Sequence, residues 1–448
     1  MRITDEVSSE YELTALQHIL DEEKRYPVIL ADKVRLADGE LSRFPVVTNL
    51  TADREIVAEA LDVNDHRTFA QQYARGSLEG IPPVTAPASV QDVVLEGEDC
   101  DVTRLPALRQ HQLDPGPYLT AAHATTYDPD TGVDNTAIQR CWVKSKKRMS
   151  YYPYPNSHNA INMRKFWARG EPCPIAFWIG HHPSVLIGAQ AKLSYPQSHW
   201  EAAGGVIGQP LKLAPTIEHG DKIRVPADAE IVIEGYVPPN RLLPDGPFGE
   251  YTGYSGPQIL APECEITRIT HRHGAIYHDY ASGLTDMLTP DNMVMEARLY
   301  AMIKPIAPSL RYVHVPASGR RFNAYLQLEE PMEGEARDAL VAALAYRRVK
   351  TVVAVDEDVD LFDESKILWA LATRVQWSRD AIIVDGLTTS KLDPSLDGVA
   401  SGASKMGVDA TFPPGKKGGR RPVPPCARPP SEVLQKMRAF LQKSGFSG

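Results

Sequence analysis

Arg321-Phe-Asn-Ala-Tyr-Leu-Gln-Leu328 and Thr351-Val-Val-Ala-Val355 are two short β-rich runs, and Glu335-Ala-Arg-Asp-Ala-Leu-Val-Ala-Ala-Leu-Ala-Tyr346 stands between them. The middle stretch has no Gly or Pro and is rich in Ala and Leu, the best helix formers. Strand, helix and strand in that order point to an α/β layered arrangement. The alternation continues with a predicted helix over 364–376 and a strand over 381–384. Upstream, Thr289-Pro290-Asp291 pairs a capping residue with proline at a first helical position, which predicts a helix from there to about 303. Residues 289–412 are therefore expected to be an α/β domain.

Working outward, residues 103–288 have a different texture. Short β-rich runs fall at 119–127, 136–143, 175–179, 185–187, 211–213, 222–225, 230–237, 265–270 and 275–280. Asp128-Pro129-Asp130-Thr131-Gly132 is a hairpin turn signal between the first two. Many short strands at such spacing imply a barrel or a sandwich. Residues 1–102 read as a smaller α/β unit, with helices over 11–23 (Ser9 as its N-cap) and 55–61, and strands at 28–30 and 45–47. Residues 413–448 read as a proline-rich connector and an amphipathic helix over 431–443, whose apolar face is Val433, Leu434, Met437, Phe440 and Leu441.

Bulk properties narrow the function. The 448 residues are 43% hydrophobic and 23% charged with a net charge of -9, which fits a folded, mildly acidic protein and excludes a general affinity for nucleic acid. No apolar run approaches the length of about 18 residues that a membrane helix needs, and the start Met1-Arg-Ile-Thr-Asp-Glu6 lacks the apolar core of an export signal. Cys100, Cys141, Cys173, Cys264 and Cys426 are scattered and odd in number, which predicts free thiols and a cytoplasmic protein. Walker A, G-x-G-x-x-G, G-x-S-x-G and H-E-x-x-H motifs are all absent. His271, His273 and His278 are close enough in sequence to be metal ligands, although alternating polar residues on a strand usually mark a solvated face.

Chemistry concentrates elsewhere. Asp245 and Glu250 flank Gly-Pro-Phe-Gly, a stiff turn able to hold two carboxylates side by side. Asn135, His158 and Glu201 offer an amide oxygen, an imidazole and a carboxylate, a set that suits Mn2+ or Mg2+ with positions left for phosphate oxygens.

The string Asp245-Gly-Pro-Phe-Gly-Glu-Tyr-Thr-Gly-Tyr254 resembles the signature of UbiD-like decarboxylases. The stretch from Val225 to Gly235, Trp200-Glu-Ala-Ala-Gly-Gly205 and the acidic run Val352 to Asp360 are similar to further segments of that family, so the resemblance spans about residues 95–396. It implies Arg140, Asp245 and Glu250 as catalytic residues. It also implies Asn135, Arg140, His158 and Glu201 at the cofactor, with Asn135, His158 and Glu201 as metal ligands. The pattern departs from the family at Ala137 and Gln139, where a glycine and a tyrosine are common.

The resemblance further implies a central split-β-barrel that binds flavin, and reversible, non-oxidative decarboxylation of an aromatic, heteroaromatic or α,β-unsaturated acid. The reaction would run through a covalent adduct with prenylated FMN, with protonation by Glu250. The expected cofactors are prenylated FMN, Mn2+ (or Mg2+) and K+. A flavin prenyltransferase would supply the flavin, and the enzyme would be a homo-oligomer, a dimer or hexamer assembled through the terminal helix. Arg320 and Arg321 are the expected partners of a second substrate carboxylate. An FMN-binding oxidoreductase on a similar barrel and a non-catalytic metal-binding scaffold are the alternatives.

Overall fold

The computed structural model describes residues 1–396, 402–412 and 427–444. It comprises two compact units, residues 1–410 and 411–448. The Lys416 to Arg421 patch, Cys426 and most of the connector lie outside the described residues.

The first unit is a mixed α/β fold built on a ten-stranded sheet. Its order begins Tyr118–Leu119, Cys141–Ser145, Arg148–Tyr151, Ile259–His271 and Ile231–Val237. It continues through Cys173–Ile179, His123–Tyr127 and Asp134–Ile138, with Leu242–Asp245 and Val93–Leu95 both pairing to Ile259–His271. The last two strands of the main order form the expected antiparallel hairpin around residues 128–132, with Tyr127 opposite Asp134.

Central strands such as Cys173–Ile179 are apolar along their whole length because both faces are covered. Ile175, Phe177 and Ile179 face one core, while Ala176 and Trp178 face another formed with Val185, Leu186, Trp200 and Ala203. A four-stranded sheet of Arg2–Ser8, Ile29–Arg35, Val46–Thr48 and Tyr277–His278 packs nearby, its Val34 and Val46 sharing the first core.

The C-terminal part of this unit confirms the alternating pattern. Its sheet runs Leu310–His314, Asn323–Leu328, Thr351–Asp356, Ala403–Asp409, Ala381–Leu387, and the middle three strands are parallel. Ala324, Leu326, Val352 and Ala354 pack under helix Glu335–Leu344, whereas Tyr325, Val353 and Val355 pack against helix Glu364–Arg374 on the other side.

Several local expectations are corrected. Residues 185–187 are not a strand but lie in helix Pro183–Gly188, opened by Pro183 and capped by the His182 side chain, which accepts from the Ser184 amide. A short apolar run has no period that separates the two states. Pro290 does not start its helix: it lies inside Thr285–Ile303. Proline removes the hydrogen bond to the carbonyl four residues earlier, and the Thr51 hydroxyl donates to that Asp286 oxygen instead, at 3.1 Å. Ser9 does not cap Glu12–Glu22; Tyr11 precedes that helix with no side-chain cap. Strands Leu310–His314 and Ala403–Asp409 and helices Phe69–Glu79 and His158–Ala168 were not expected. No helix among the described residues is long and apolar enough to cross a membrane. In the second unit, helix Ser431–Lys443 has no buried residue, and Val433, Met437, Phe440 and Leu441 are exposed.

Candidate active site

Strand Leu242–Asp245 pairs along Ile259–His271 and delivers Asp245 at its end, after which the chain turns through Gly-Pro into Phe248–Gly249. The turn is fixed from several sides. The Gly246 amide donates to the Tyr118 hydroxyl at 2.9 Å, and the Ser282 hydroxyl donates to the Gly249 carbonyl at 2.6 Å. Gly246 has φ +82, and at Gly249 the His111 imidazole fills the space a Cβ would need, so both glycines are structural requirements of the loop. Glu250 follows at once, its amide bonded to the Tyr254 carbonyl at 2.9 Å.

Arg140, two residues past strand Asp134–Ile138, meets this loop. Its Nε and Nη2 donate to Asp245 Oδ2 at 2.9 and 2.6 Å, and its Nη1 donates to Glu250 Oε1. Ser150 Oγ donates to the other Asp245 oxygen at 2.8 Å, so the fully buried Asp245 is anchored on both sides. The Arg140 guanidinium also lies over the Phe248 and Tyr152 rings, at 5.0 and 5.4 Å. Burial opposes the Arg140 charge, but Glu250 and Asp245 outweigh it and raise its pKa. Burial likewise raises the Glu250 carboxyl, with Arg140 as the main restraint. One arginine thus holds one fixed carboxylate and one carboxyl placed to take up and release a proton.

The proposed metal donors belong to a second cluster. Asn135 donates from Nδ2 to Asn159 Oδ1 at 2.6 Å, a bond that does not use its own Oδ1. Asn159 follows His158, the first residue of His158–Ala168, whose cap is Ser157. Asp134, beside Asn135, accepts the His199 and Trp200 amides at 2.8 and 3.0 Å and the Ser198 hydroxyl. That grip seats the start of helix His199–Ile207, which carries Glu201 in its first turn.

The elements bearing Asn135, His158 and Glu201 are therefore stitched together, with the His158 and His199 rings 5.6 Å apart. Burial lowers the His158 pKa, which favours the neutral, ligating imidazole. Glu201 is exposed, while the His199 ring is buried and its Nδ1 has no partner. Sequence reading passed over His199 and Asp134: His199 directly follows the N-cap Ser198, whereas Asp134 is a strand residue that reaches this helix start only through the fold. No group of three His, Cys, Asp or Glu side chains among the described residues is placed to hold a metal, so this donor set relies on the Asn135 oxygen.

His271, His273 and His278 do not converge. His271 Nδ1 donates to the Arg272 carbonyl at 2.9 Å, His273 is exposed, and His278 is buried in the N-terminal sheet. Arg321 is buried against Asp291 at 3.0 Å, and Arg320 donates to the Gly283 carbonyl.

Residues 1–75, 83–284 and 291–410 match the N-terminal, Rift-related and C-terminal domains of 3-octaprenyl-4-hydroxybenzoate carboxy-lyase. The chain belongs to the UbiD family, and it is a decarboxylase.

It is 31% identical over 415 residues to anhydromevalonate phosphate decarboxylase of Methanothermobacter thermautotrophicus, covering 92% of this chain and 93% of that one. The UbiD-class enzyme HmfF of Pelotomaculum thermopropionicum, solved with FMN, is 34% identical with a TM-score of 0.86, covering 95% and 94% of the two chains. Vanillic acid decarboxylase of Sedimentibacter hydroxybenzoicus is 26% identical with a TM-score of 0.86, covering 99% and 96%. An evolved dimeric form of HmfF was solved with prFMN, at 32% identity and a TM-score of 0.84, covering 97% of this chain and 96% of that one.

Proposed function

We propose that this chain catalyses reversible, non-oxidative decarboxylation of an aromatic, heteroaromatic or α,β-unsaturated acid with prenylated FMN. The observation that carries this reading is Arg140 shared between a buried Asp245 and a partly accessible Glu250. When bound, the flavin would supply the electron sink that no standard side chain offers.

The chain's own groups supply the rest. Asp245 fixes the Arg140 guanidinium through two hydrogen bonds to one oxygen. Arg140 then presents Nη1 to Glu250 and orients the substrate carboxylate. Glu250, raised by burial, holds a proton above the usual carboxylate range and delivers it to the carbon that loses CO2. Its charged form is received by Arg140, which lowers the cost of the transfer.

Asn135 Oδ1, His158 and Glu201 would hold Mn2+ (or Mg2+), with K+ nearby, at the flavin phosphate. The donor chemistry and the hydrogen bonds tying their elements together support this set. Cys100, Cys141, Cys173 and Cys264 are free, which favours a cytoplasmic setting. A second copy of the chain would cover the exposed face of Ser431–Lys443, giving a homo-oligomer; the amphipathic pattern supports it.

Co-expression with a flavin prenyltransferase tests the proposal. The released cofactor should have the absorbance and mass of prenylated FMN, with CO2 evolved from an acid of this class. Unmodified FMN reduced by a nicotinamide donor would favour an oxidoreductase, and protein with metal but no chromophore would favour a scaffold.

A further inference from the structure

A second charged cluster lies beside the acid and takes no part in the chemistry above. Asp291, on helix Thr285–Ile303, accepts from Lys192 Nζ at 2.5 Å, Arg348 Nη1 at 2.7 Å and Arg321 Nη1 at 3.0 Å. Three cations thus share one ion-paired carboxylate.

All four side chains are largely enclosed, with relative exposures of 24% for Lys192, 24% for Arg348, 9% for Arg321 and 17% for Asp291. Burial would raise the Asp291 carboxyl, but the three cations hold it well below its ordinary value. Burial lowers the pKa of both Lys192 and Arg321, whereas at Arg348 Asp291 outweighs burial and raises it. Arg321 supplies an independent observation: its Nε is buried with no hydrogen-bond partner.

The position of the cluster matters. The Arg321 guanidinium lies over the Tyr251 ring at 4.7 Å, one residue from Glu250, and is near enough to lower the Glu250 carboxyl. Cations taken out of water are costly, and an anion with several oxygens would satisfy them together. Arginine forks and a lysine ammonium suit phosphate or carboxylate oxygens.

We propose that Lys192, Arg321 and Arg348 bind a second anionic group of the substrate, a phosphate or a carboxylate, apart from the carboxylate that leaves. This rests on the decarboxylase reading and narrows its substrate class to acids carrying a further anion. It also changes the role expected from sequence for the arginine pair: Arg321 acts with Lys192 and Arg348, whereas Arg320 is turned to the Gly283 carbonyl.

The test is titration of flavin-loaded enzyme with inorganic phosphate at constant ionic strength, followed by calorimetry, for wild type, Arg348→Gln and Lys192→Gln. Each substitution leaves Asp291 two cationic partners, so the fold is retained. Saturable binding should weaken about tenfold in each variant, with flavin content unchanged. Absence of saturable binding in wild type, or equal binding in the variants, overturns the proposal. Loss of flavin along with phosphate binding also overturns it, because the cations would then hold the cofactor's own phosphate. Wild-type protein that takes up no flavin sinks the decarboxylase reading instead, and phosphate binding to that protein is scored in the same way.

Discussion

Arg140→Met removes the centre of the proposed site while keeping an apolar stem against Phe248 and Tyr152. Three charge-assisted hydrogen bonds are lost, two to Asp245 and one to Glu250. Asp245 is left fully buried, with the Ser150 hydroxyl at 2.8 Å as its remaining donor. Breaking a buried pair by removing one partner costs about 3–5 kcal/mol. Glu250 adds less, because its side chain keeps 15% exposure and water reaches it. Two cation–π contacts contribute about 0.5–1 kcal/mol each.

Urea unfolding followed by tryptophan fluorescence should therefore show a deficit of about 4–7 kcal/mol, and turnover should fall about 10²-fold or more. Adding Asp245→Asn removes the uncompensated charge, so the double variant should recover about 2 kcal/mol relative to Arg140→Met alone. A single variant within about 1 kcal/mol of wild type, or a double variant less stable than the single, would refute the buried-pair account.

Glu201→Ala should lose metal and flavin together, read by elemental analysis and absorbance, because a divalent ion and a phosphate bind as one unit; a variant retaining both would show Glu201 to be a surface acid. The alkaline limb of kcat should reflect Glu250: its raised pKa keeps the proton into higher pH, and turnover falls as pH rises through that value. Arg321→Gln removes a cation that lowers this carboxyl, so the limb should shift to higher pH; a downward shift would contradict the assignment. Ending the chain at Pro430 should reduce the oligomer mass in light scattering, and an unchanged mass would place the assembly surface elsewhere.

What sequence revealed and what it hid follow physical lines. The alternation from 321 to 384 was legible because both faces of a parallel sheet are covered, giving continuous apolar strands between Ala- and Leu-rich helices. Asp245, Gly246, Gly249 and Glu250 were legible as a motif because the loop tolerates no other backbone. Helix Pro183–Gly188 was hidden by a run too short to show a period. The start of Thr285–Ile303 was hidden because Thr51, more than two hundred residues earlier, replaces the bond that Pro290 cannot make. Helix His158–Ala168 was obscure because Asn159 and Asn162 are buried in a polar network, bonded to Ala124 and Thr126, and break its apolar stripe. Lys192, Asp291, Arg321 and Arg348 meet only through tertiary folding, so no local pattern announced their cluster.

The central claim, that Glu250 protonates the carbon left by CO2, is tested most directly in D2O. Flavin-loaded wild type and Glu250→Gln would be given a panel of aromatic, furan and α,β-unsaturated acids, and products read by mass spectrometry. Wild type should release CO2 from at least one acid and place one deuteron at the vacated carbon, while Glu250→Gln retains flavin and slows about 10²-fold or more. Equal deuterated product from flavin-loaded Glu250→Gln would contradict the account.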